Sequence, residues 1–225
     1  GVRYAFTDDF SVKASFNTMR QYIHKVSNTL VMSPTDTWKL SDMYIEPQTG
    51  MQYSLGFYKN FMGSDVEASI EGYYKTIDHY LDYRSGAQLL MNDHLETEVL
   101  PTEGRAYGVE FMLKRPKGKF NGWISYTYSR TELRQSDPRI DNPVNNSSWY
   151  PAEYDKPHDF KLVGNYQFTQ RYSTSLNVDY STGRPQTMPV SQYYDHTIGA
   201  TTFFYSERNG VRIPDYFRAD LSVNI

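Results

Sequence analysis

The chain has 225 residues, with 23 Lys and Arg against 26 Asp and Glu for a net charge of −3, and no cysteine. Near-balanced charge excludes a broad basic nucleic-acid face, and the missing thiols exclude disulfide frameworks, thiolate catalysis and any zinc ligands beyond histidine and carboxylate. No window offers the roughly 20 apolar residues of a spanning helix. The mean hydropathy of −0.68 argues for solubility unless only every second residue faces an apolar phase.

In chain order, a tight link at Thr7-Asp8-Asp9 precedes Val12, Ala14 and Phe16, which alternate with Lys13, Ser15 and Asn17. Met51, Tyr53, Leu55 and Phe57 then oppose Gln52, Ser54, Gly56 and Tyr58. The row Val66, Ala68, Ile70, Gly72, Tyr74 faces away from Glu67, Ser69, Glu71, Tyr73 and Lys75. Tyr107, Val109, Phe111 and Leu113 oppose Gly108, Glu110, Met112 and Lys114. Phe120, Gly122, Ile124, Tyr126 and Tyr128 follow, against Asn121, Trp123, Ser125, Thr127 and Ser129. Phe160, Leu162 and Tyr166, then Tyr172, Leu176, Val178 and Tyr180, then Phe217, Leu221 and Val223 complete the series. Their polar counterparts include Lys161, Asp179, Arg218 and Asp220.

Such alternation predicts antiparallel strands with one greasy and one polar face. Rows of about 10–16 residues exceed the soluble mean of roughly 5–6 and suit the roughly 9–11 of a tilted transmembrane strand. Aromatic residues (21 Tyr and 12 Phe in all) gather near the ends of the apolar rows, where interfacial girdles lie.

Short links at 7–9, 62–65, 114–119 (through Pro116-Lys117-Gly118) and 169–171 alternate with long ones at about 27–49, 84–104, 131–156 and 184–213. An up-and-down barrel with short turns at one rim and long loops at the other has this rhythm, and a sandwich has no reason to keep it. Pairing Phe61 with Val66 predicts the partners 59–68, 57–70, 55–72 and 53–74. Pairing Leu113 with Phe120 predicts 111–122, 109–124 and 107–126. Lys59 is the one charge this places on the greasy face, close to a turn where it costs little. The fold expected is all-β, an antiparallel up-and-down transmembrane β-barrel. About nine strands, an odd number, cannot seal one, so residues 1–225 read as a piece of a larger barrel.

Individual residues give no chemistry. His24, His79, His94, His158 and His196 lack ligand spacing, so no metal and no cofactor is expected. The acid pairs Asp78/Asp82 and Glu96/Glu98 read as solvated loop charge, and Asn146-Ser147-Ser148 as a chance sequon. Gly56, Gly72, Gly108, Gly122 and Gly164 sit inside strands, where an aromatic neighbour lies over the gap or the strand bends. Glu67, Glu71, Glu110, Lys114, Asp179, Arg218 and Asp220 are expected to line a watery interior. Trp38, Tyr44, Trp149, Tyr150, Tyr193 and Tyr194, in the long loops, are the candidate ligand contacts; loop packing explains them equally well. No phosphate loop, nucleophile elbow or His-Glu-x-x-His is present, and no enzyme is expected.

The order of motifs resembles one family. Arg105-Ala-Tyr-Gly-Val-Glu-Phe-Met-Leu is similar to the "GvE" strand of TonB-dependent outer-membrane receptors, followed as there by an aromatic-rich strand. Asp155-Lys-Pro-His-Asp-Phe resembles the family's "RPH" strand opening, with Lys156 for the usual Arg. Tyr180-Ser-Thr-Gly-Arg-Pro and Ile213-Pro-Asp-Tyr-Phe-Arg-Ala-Asp complete the set. Ser11–Asn17, Gln21–His24 and Pro34–Trp38 look most like receptors of Bacteroidetes type. The resemblance implies a Gram-negative outer-membrane protein and a barrel of roughly 22 strands around an N-terminal plug. The plug and the final strands are absent from this sequence. It further implies import of an iron complex, glycan, peptide or vitamin with energy from TonB. Expected partners are outer-membrane lipid, TonB through the plug, a surface lipoprotein and a small ligand, with no nucleic acid. A passive pore or structural barrel, and a soluble β-sandwich binding module, stay open as other readings.

Overall fold

The computed structural model describes residues 1–26, 37–61, 63, 65–83, 94, 97–135, 137, 140, 143–197 and 199–225. The amino-terminal half holds β1 (Val2–Thr7), β2 (Phe10–Gln21), β3 (Ile23–Val26), β4 (Thr37–Leu40), β5 (Gln48–Phe61), β6 (Val66–Tyr83) and β7 (Val99–Arg115). Then come β8 (Phe120–Arg134), a 3-10 turn (Val144–Ser147), β9 (Tyr150–Pro151), β10 (His158–Gln167) and β11 (Ser173–Ser181). The last are β12 (Pro185–Gln186), β13 (Pro189–Asp195), β14 (Ala200–Tyr205), β15 (Val211–Arg212) and β16 (Tyr216–Asn224). One antiparallel sheet runs β1-β2-β5-β6-β7-β8-β10-β11-β16, and β9 pairs the end of β8. It remains open between β1 and β16.

Why one face is greasy is plain from a single cross-strand rung. Tyr4, Val12, Phe57, Ile70, Phe111, Tyr126, Phe160, Tyr180 and Phe217 lie side by side across the whole sheet. Among the described residues no second layer covers them. Leu55, Ile70 and Val109 are 46%, 44% and 44% exposed, values that no sandwich core tolerates. Toward the long loops one rung carries the tilted pair Phe16–Tyr53 (4.9 Å) and the stacked pair Tyr74–Tyr107 (6.4 Å). Toward the short turns stand Phe61, Phe120, Tyr166 and Phe168, so the greasy band is edged by rings on both sides. Eight residues from Tyr74 to Val66 span roughly 20 Å of height at ordinary rise and tilt, close to the roughly 25 Å of an outer-membrane band.

The β5/β6 register is the one predicted, with Lys59 opposite Ala68, Phe57 opposite Ile70 and Tyr53 opposite Tyr74. Lys59 has a partner across the turn: its ammonium lies 2.5 Å from the Asp9 carboxylate. The β7/β8 register differs from expectation. Leu113 meets Ile124, Phe111 meets Tyr126 and Val109 meets Tyr128. Lys114 and Arg115 stay in the ladder, and the turn is made after them by Pro116, which has no N–H to donate, and Gly118 at φ +103°. The shift in summed position is four, an even number, so every side chain keeps its face.

Two long links are shorter than read from sequence, because β7 begins at Val99 and β8 runs on to Arg134. The 184–213 link is built from β12, β13, β14 and β15, paired β12/β15 and β13/β14. The 27–49 link contains β4, which pairs with β3 just before it; Pro34, Thr35, Asp36 and Glu96 fall outside the described residues. Buried apolar side chains (Ile45, Ile77, Val99, Leu100, Leu133, Tyr150, Ala152) all lie at the long-loop end. Among the described residues, the apolar core lies there.

Candidate functional site

The polar face of the sheet comes first. Along one rung Lys13, Gly56, Glu71, Glu110, Thr127 and Asp159 are neighbours. Glu67 faces Lys114, and Asp179 faces Arg218, two opposite-charge cross-strand pairs. Asp220 lies beside Asn177 and accepts from Arg218 Nε at 2.7 Å. Glu71 and Glu110 are like charges placed side by side, and the Tyr58 hydroxyl donates to Glu71 at 2.7 Å. The Tyr58 ring lies over Gly56, where a Cβ would sit 2.9 Å from that hydroxyl. All seven predicted wall residues thus share the face opposite the greasy rows.

At the long-loop end a β-bulge re-aims this face. The β6/β7 register breaks between Ile77 and Tyr80, and His79 takes φ +56°. Beyond the bulge Tyr80 and Asp82, which uninterrupted alternation would turn outward, pair with Thr102 and Leu100 on the inner face. Asp82 is therefore no solvated loop charge, contrary to the reading from sequence. It accepts from the Tyr150 hydroxyl at 2.5 Å and from Arg208 Nη1 at 2.7 Å. Arg208 also donates to the Tyr83 carbonyl at 2.6 Å, and its backbone N–H donates to Asn145 Oδ1 at 2.9 Å. Asn209 Nδ2 reaches the Pro151 carbonyl at 2.8 Å. These bonds clasp the 184–213 segment onto the 143–151 segment and the end of β6.

Beside the clasp lies a cavity of about 310 Å³, reached by His24, Tyr80, Asp82, Glu153, Tyr154 and Arg208 among others. Its charges are mixed. Burial pushes the Glu153 carboxyl above its ordinary range, Asp82 pushes it further, and Arg208 and Arg184 oppose the shift. Burial lowers the His24 imidazole, whose Nε2 is 3.0 Å from Ser41 Oγ. Aromatic faces, carboxylates and a guanidinium around one concavity suit a polar organic ligand held by several hydrogen bonds.

A second clasp is built from the family-like motifs. Asp155 is 2% exposed and accepts from the Thr131 N–H at 2.7 Å. Arg212 pairs with its carboxylate and donates to the Asp155 and Gly183 carbonyls, both at 2.9 Å. Asp215 accepts from the Tyr180 hydroxyl at 2.6 Å and the Gly183 N–H at 2.9 Å. Those two bonds hold its carboxyl below the usual range. Gly183 is obligatory here, because a Cβ would strike the Ile213 carbonyl oxygen.

The six candidate loop aromatics do not converge. Trp38 is 59% exposed, and Tyr44 edges an outward groove of about 880 Å³ beside the Glu46–His79 pair (3.2 Å). Trp149 has Arg105 at 4.1 Å and Arg134 at 4.7 Å from its ring centre. Tyr150 is 1% exposed, its hydroxyl committed to Asp82. Tyr193 and Tyr194 stand on the β13/β14 ribbon, the first tilted against Phe204 (5.3 Å) and the second edge-on to His196 (5.0 Å). Sequence reasoning missed Tyr80, Glu153, Tyr154 and Arg208. No periodic signal marked Tyr80: the register runs unbroken through Ile77, which faces inward as its odd number requires, and the bulge comes only after it. Among the described residues no histidine and carboxylate side chains group as a metal site.

The comparisons agree on one architecture. A family model described as TonB dependent receptor-like, beta-barrel matches residues 1–225. No curated protein matches the chain. Among solved structures, the ferric-catecholate import receptor Fiu of E. coli K12 is similar with TM-score 0.61 and 16% identity, over 98% of this chain and 27% of that one. The ferripyoverdine receptor of the outer membrane of Pseudomonas aeruginosa is similar with TM-score 0.57 and 13% identity, over 98% and 26%. At such identities the likeness is one of fold, and the chain spans about a quarter of the length of these receptors.

Proposed function

This chain belongs to the TonB-dependent receptor β-barrel family, one of transport receptors, and from that premise we propose that it supplies part of the wall and outer mouth of a Gram-negative outer-membrane importer. The observation that carries the membrane placement is the uncovered greasy rung across all nine strands. In water it would aggregate; in hydrocarbon it is solvated. Polarity then follows from the links, short turns toward the periplasm and long loops outside. The polar face, with Glu67, Glu71, Glu110, Lys114, Asp179, Arg218 and Asp220, lines the lumen and contacts a plug supplied by the rest of the receptor.

The ligand is a polar nutrient that descends past Trp38, Tyr193 and Tyr194 toward the cavity at Tyr80, Glu153 and Tyr154. TonB acts on the plug and not on these strands. The likeness of Ser11–Asn17 and Gln21–His24 to Bacteroidetes-type receptors supports that branch of the family and a surface lipoprotein as a companion.

Uptake tests this directly. A strain lacking the full-length receptor, and one whose receptor lacks its TonB-contacting segment, should leave the same compounds unconsumed in a complex medium. Depletion of those compounds by the second strain at the wild-type rate would mean a passive pore and overturn the importer.

A further inference from the structure

Three small ribbons stand off the main sheet, and their free edges differ. The β12/β15 ribbon is two residues long, too short to hold a further strand. The β3/β4 ribbon carries Lys25 in one strand and Lys39 in the other. Lysine guards an exposed edge, because a neighbouring strand would have to desolvate its charge. In the β13/β14 ribbon one strand is guarded and the other is not. β13 opens with Pro189, which has no N–H for a ladder, and its register breaks between Pro189 and Ser191. β14 reads Ala200-Thr-Thr-Phe-Phe-Tyr205, with no charge and no proline.

Six residues, mostly β-branched or aromatic and all uncharged, make a strand suited to further pairing. β14 pairs with β13 alone. In an antiparallel ribbon alternate residues turn both N–H and C=O away from the partner strand. On β14 those outward groups have no hydrogen-bond partner among the described residues. The rings are uncovered as well: Phe204 lies beside Tyr193 on one face, Phe203 and Tyr205 point to the other, and all three are exposed. A two-stranded ribbon is marginal in water, and a third strand along this edge adds both a ladder and cross-strand partners for the rings. Only a polypeptide repeats N–H and C=O at the spacing this edge presents; a sugar stacks on rings but does not continue a ladder. The root of the ribbon fixes where such a strand leads. The Ser206 N–H donates to the Met188 carbonyl at 2.8 Å, and the Asn209 N–H to Thr187 Oγ1 at 3.0 Å. Arg208, three residues past Tyr205, lines the cavity of about 310 Å³. One end of a strand laid on β14 therefore meets that cavity, where a free peptide can continue and a strand fixed in another protein's sheet cannot.

We propose that the outer edge of β14 is a docking site for a free, extended, uncharged peptide segment, which joins the ribbon as a third strand with its side chains beside Phe203, Phe204 and Tyr205. The proposal goes beyond import: docking is read without transport, and a receptor that imports something else still holds a peptide there.

The test uses the full-length receptor in detergent and the peptide Lys-Thr-Val-Phe-Thr-Val-Thr-Lys, whose six central residues are uncharged. A second peptide is N-methylated at those six residues, so that it keeps every side chain and offers no N–H on either edge. Titration calorimetry, native mass spectrometry and amide exchange read the result. The first peptide should bind at one per receptor and slow the exchange of the edge amides within 200–205. The N-methylated peptide should bind about tenfold or more weakly, because roughly three backbone hydrogen bonds are lost. Phe203→Lys, which places a guarding charge on β14, should weaken the first peptide by a similar factor, with exchange in β5–β7 unchanged as the sign of an intact wall. Should that variant fail to fold, the two peptides still decide the matter on the unaltered receptor. Equal affinity for the two peptides would overturn the site. So would slow exchange of every amide within 200–205 in the receptor alone, which means an edge already covered, or a receptor dimer in place of the peptide complex, which means a second copy's β14 is the occupant.

Discussion

The wall and the mouth of this molecule are held together by different physics. In the wall, Phe57, Ile70, Phe111 and Phe160 lie beside their cross-strand partners on a single sheet, with no second layer over them among the described residues. Hydrogen-bond ladders fix its shape, and hydrocarbon takes the place of a core. The mouth has a small conventional interior, in which Leu133, Tyr150 and Ala152 pack together and Asp82, Asp155, Arg208 and Arg212 join distant loops. A membrane is a solvent the wall can rely on. The mouth stands in water and has to bury its own apolar groups.

Substitutions with opposite outcomes on the two faces separate the regions most sharply. Phe111→Arg puts a charge at mid-band and should lower the unfolding free energy in lipid by about 2–4 kcal/mol. Thr127→Arg, on the polar rung beside Glu110, should change it by no more than about 0.5 kcal/mol. Urea titration of the reconstituted receptor reads both, and equal losses would contradict the assignment of faces.

Within the mouth, Asp155→Ala strands the Arg212 guanidinium and the Thr131 N–H and should cost about 2–3 kcal/mol locally. The loss should appear as faster hydrogen exchange at Thr131 and faster exchange and proteolysis at 152–157 and 206–213, with the protection of β5–β7 unchanged. Gly183→Ala, forced against Ile213, should cost about 1–3 kcal/mol in the same region, read by the same exchange.

The smallest effects are those of pH. Asp215 has a folded pKa below its ordinary 3.8, so its contribution is present above pH 3.8 and is lost as the pH falls through 3.8 toward the folded value. Tyr180→Phe should remove the larger share of that acid-labile part and leave the share held by the Gly183 N–H. His24 has a folded pKa below 6.5; the unfolded ribbon takes a proton first, and β3/β4 should weaken as the pH falls through 6.5. Exchange in 22–26 and 38–41 measures this, and a His24→Gln receptor should show no such dependence.

The wall was legible because alternation is periodic. Counting from Phe61 and Val66 was enough to place Tyr53 beside Tyr74, and Lys59 near a turn already looked tolerable before Asp9 was found as its partner. The β7/β8 register slipped because a turn is decided by local dihedrals: Pro116 and Gly118 mark its place without saying which residues still pair. The mouth was harder. Arg208 reaching Asp82 follows no period, and Tyr150 in sequence is one aromatic among many until its hydroxyl is seen committed. His79 belongs with the mouth: alternation runs unbroken through Ile77, and the bulge after it follows no period.

The clasp of Arg208 on Asp82 joins residues 126 apart in the chain, whereas most of the sheet is built from neighbours in sequence. Local contacts form quickly, and closing a long loop has an entropy cost that no partial structure offsets. The strands are therefore free to enter the bilayer as successive hairpins. The rim above them closes only after β6, the 143–151 segment and the 184–213 segment are all in place, which makes it the last part of this molecule to acquire its shape and the first to lose it.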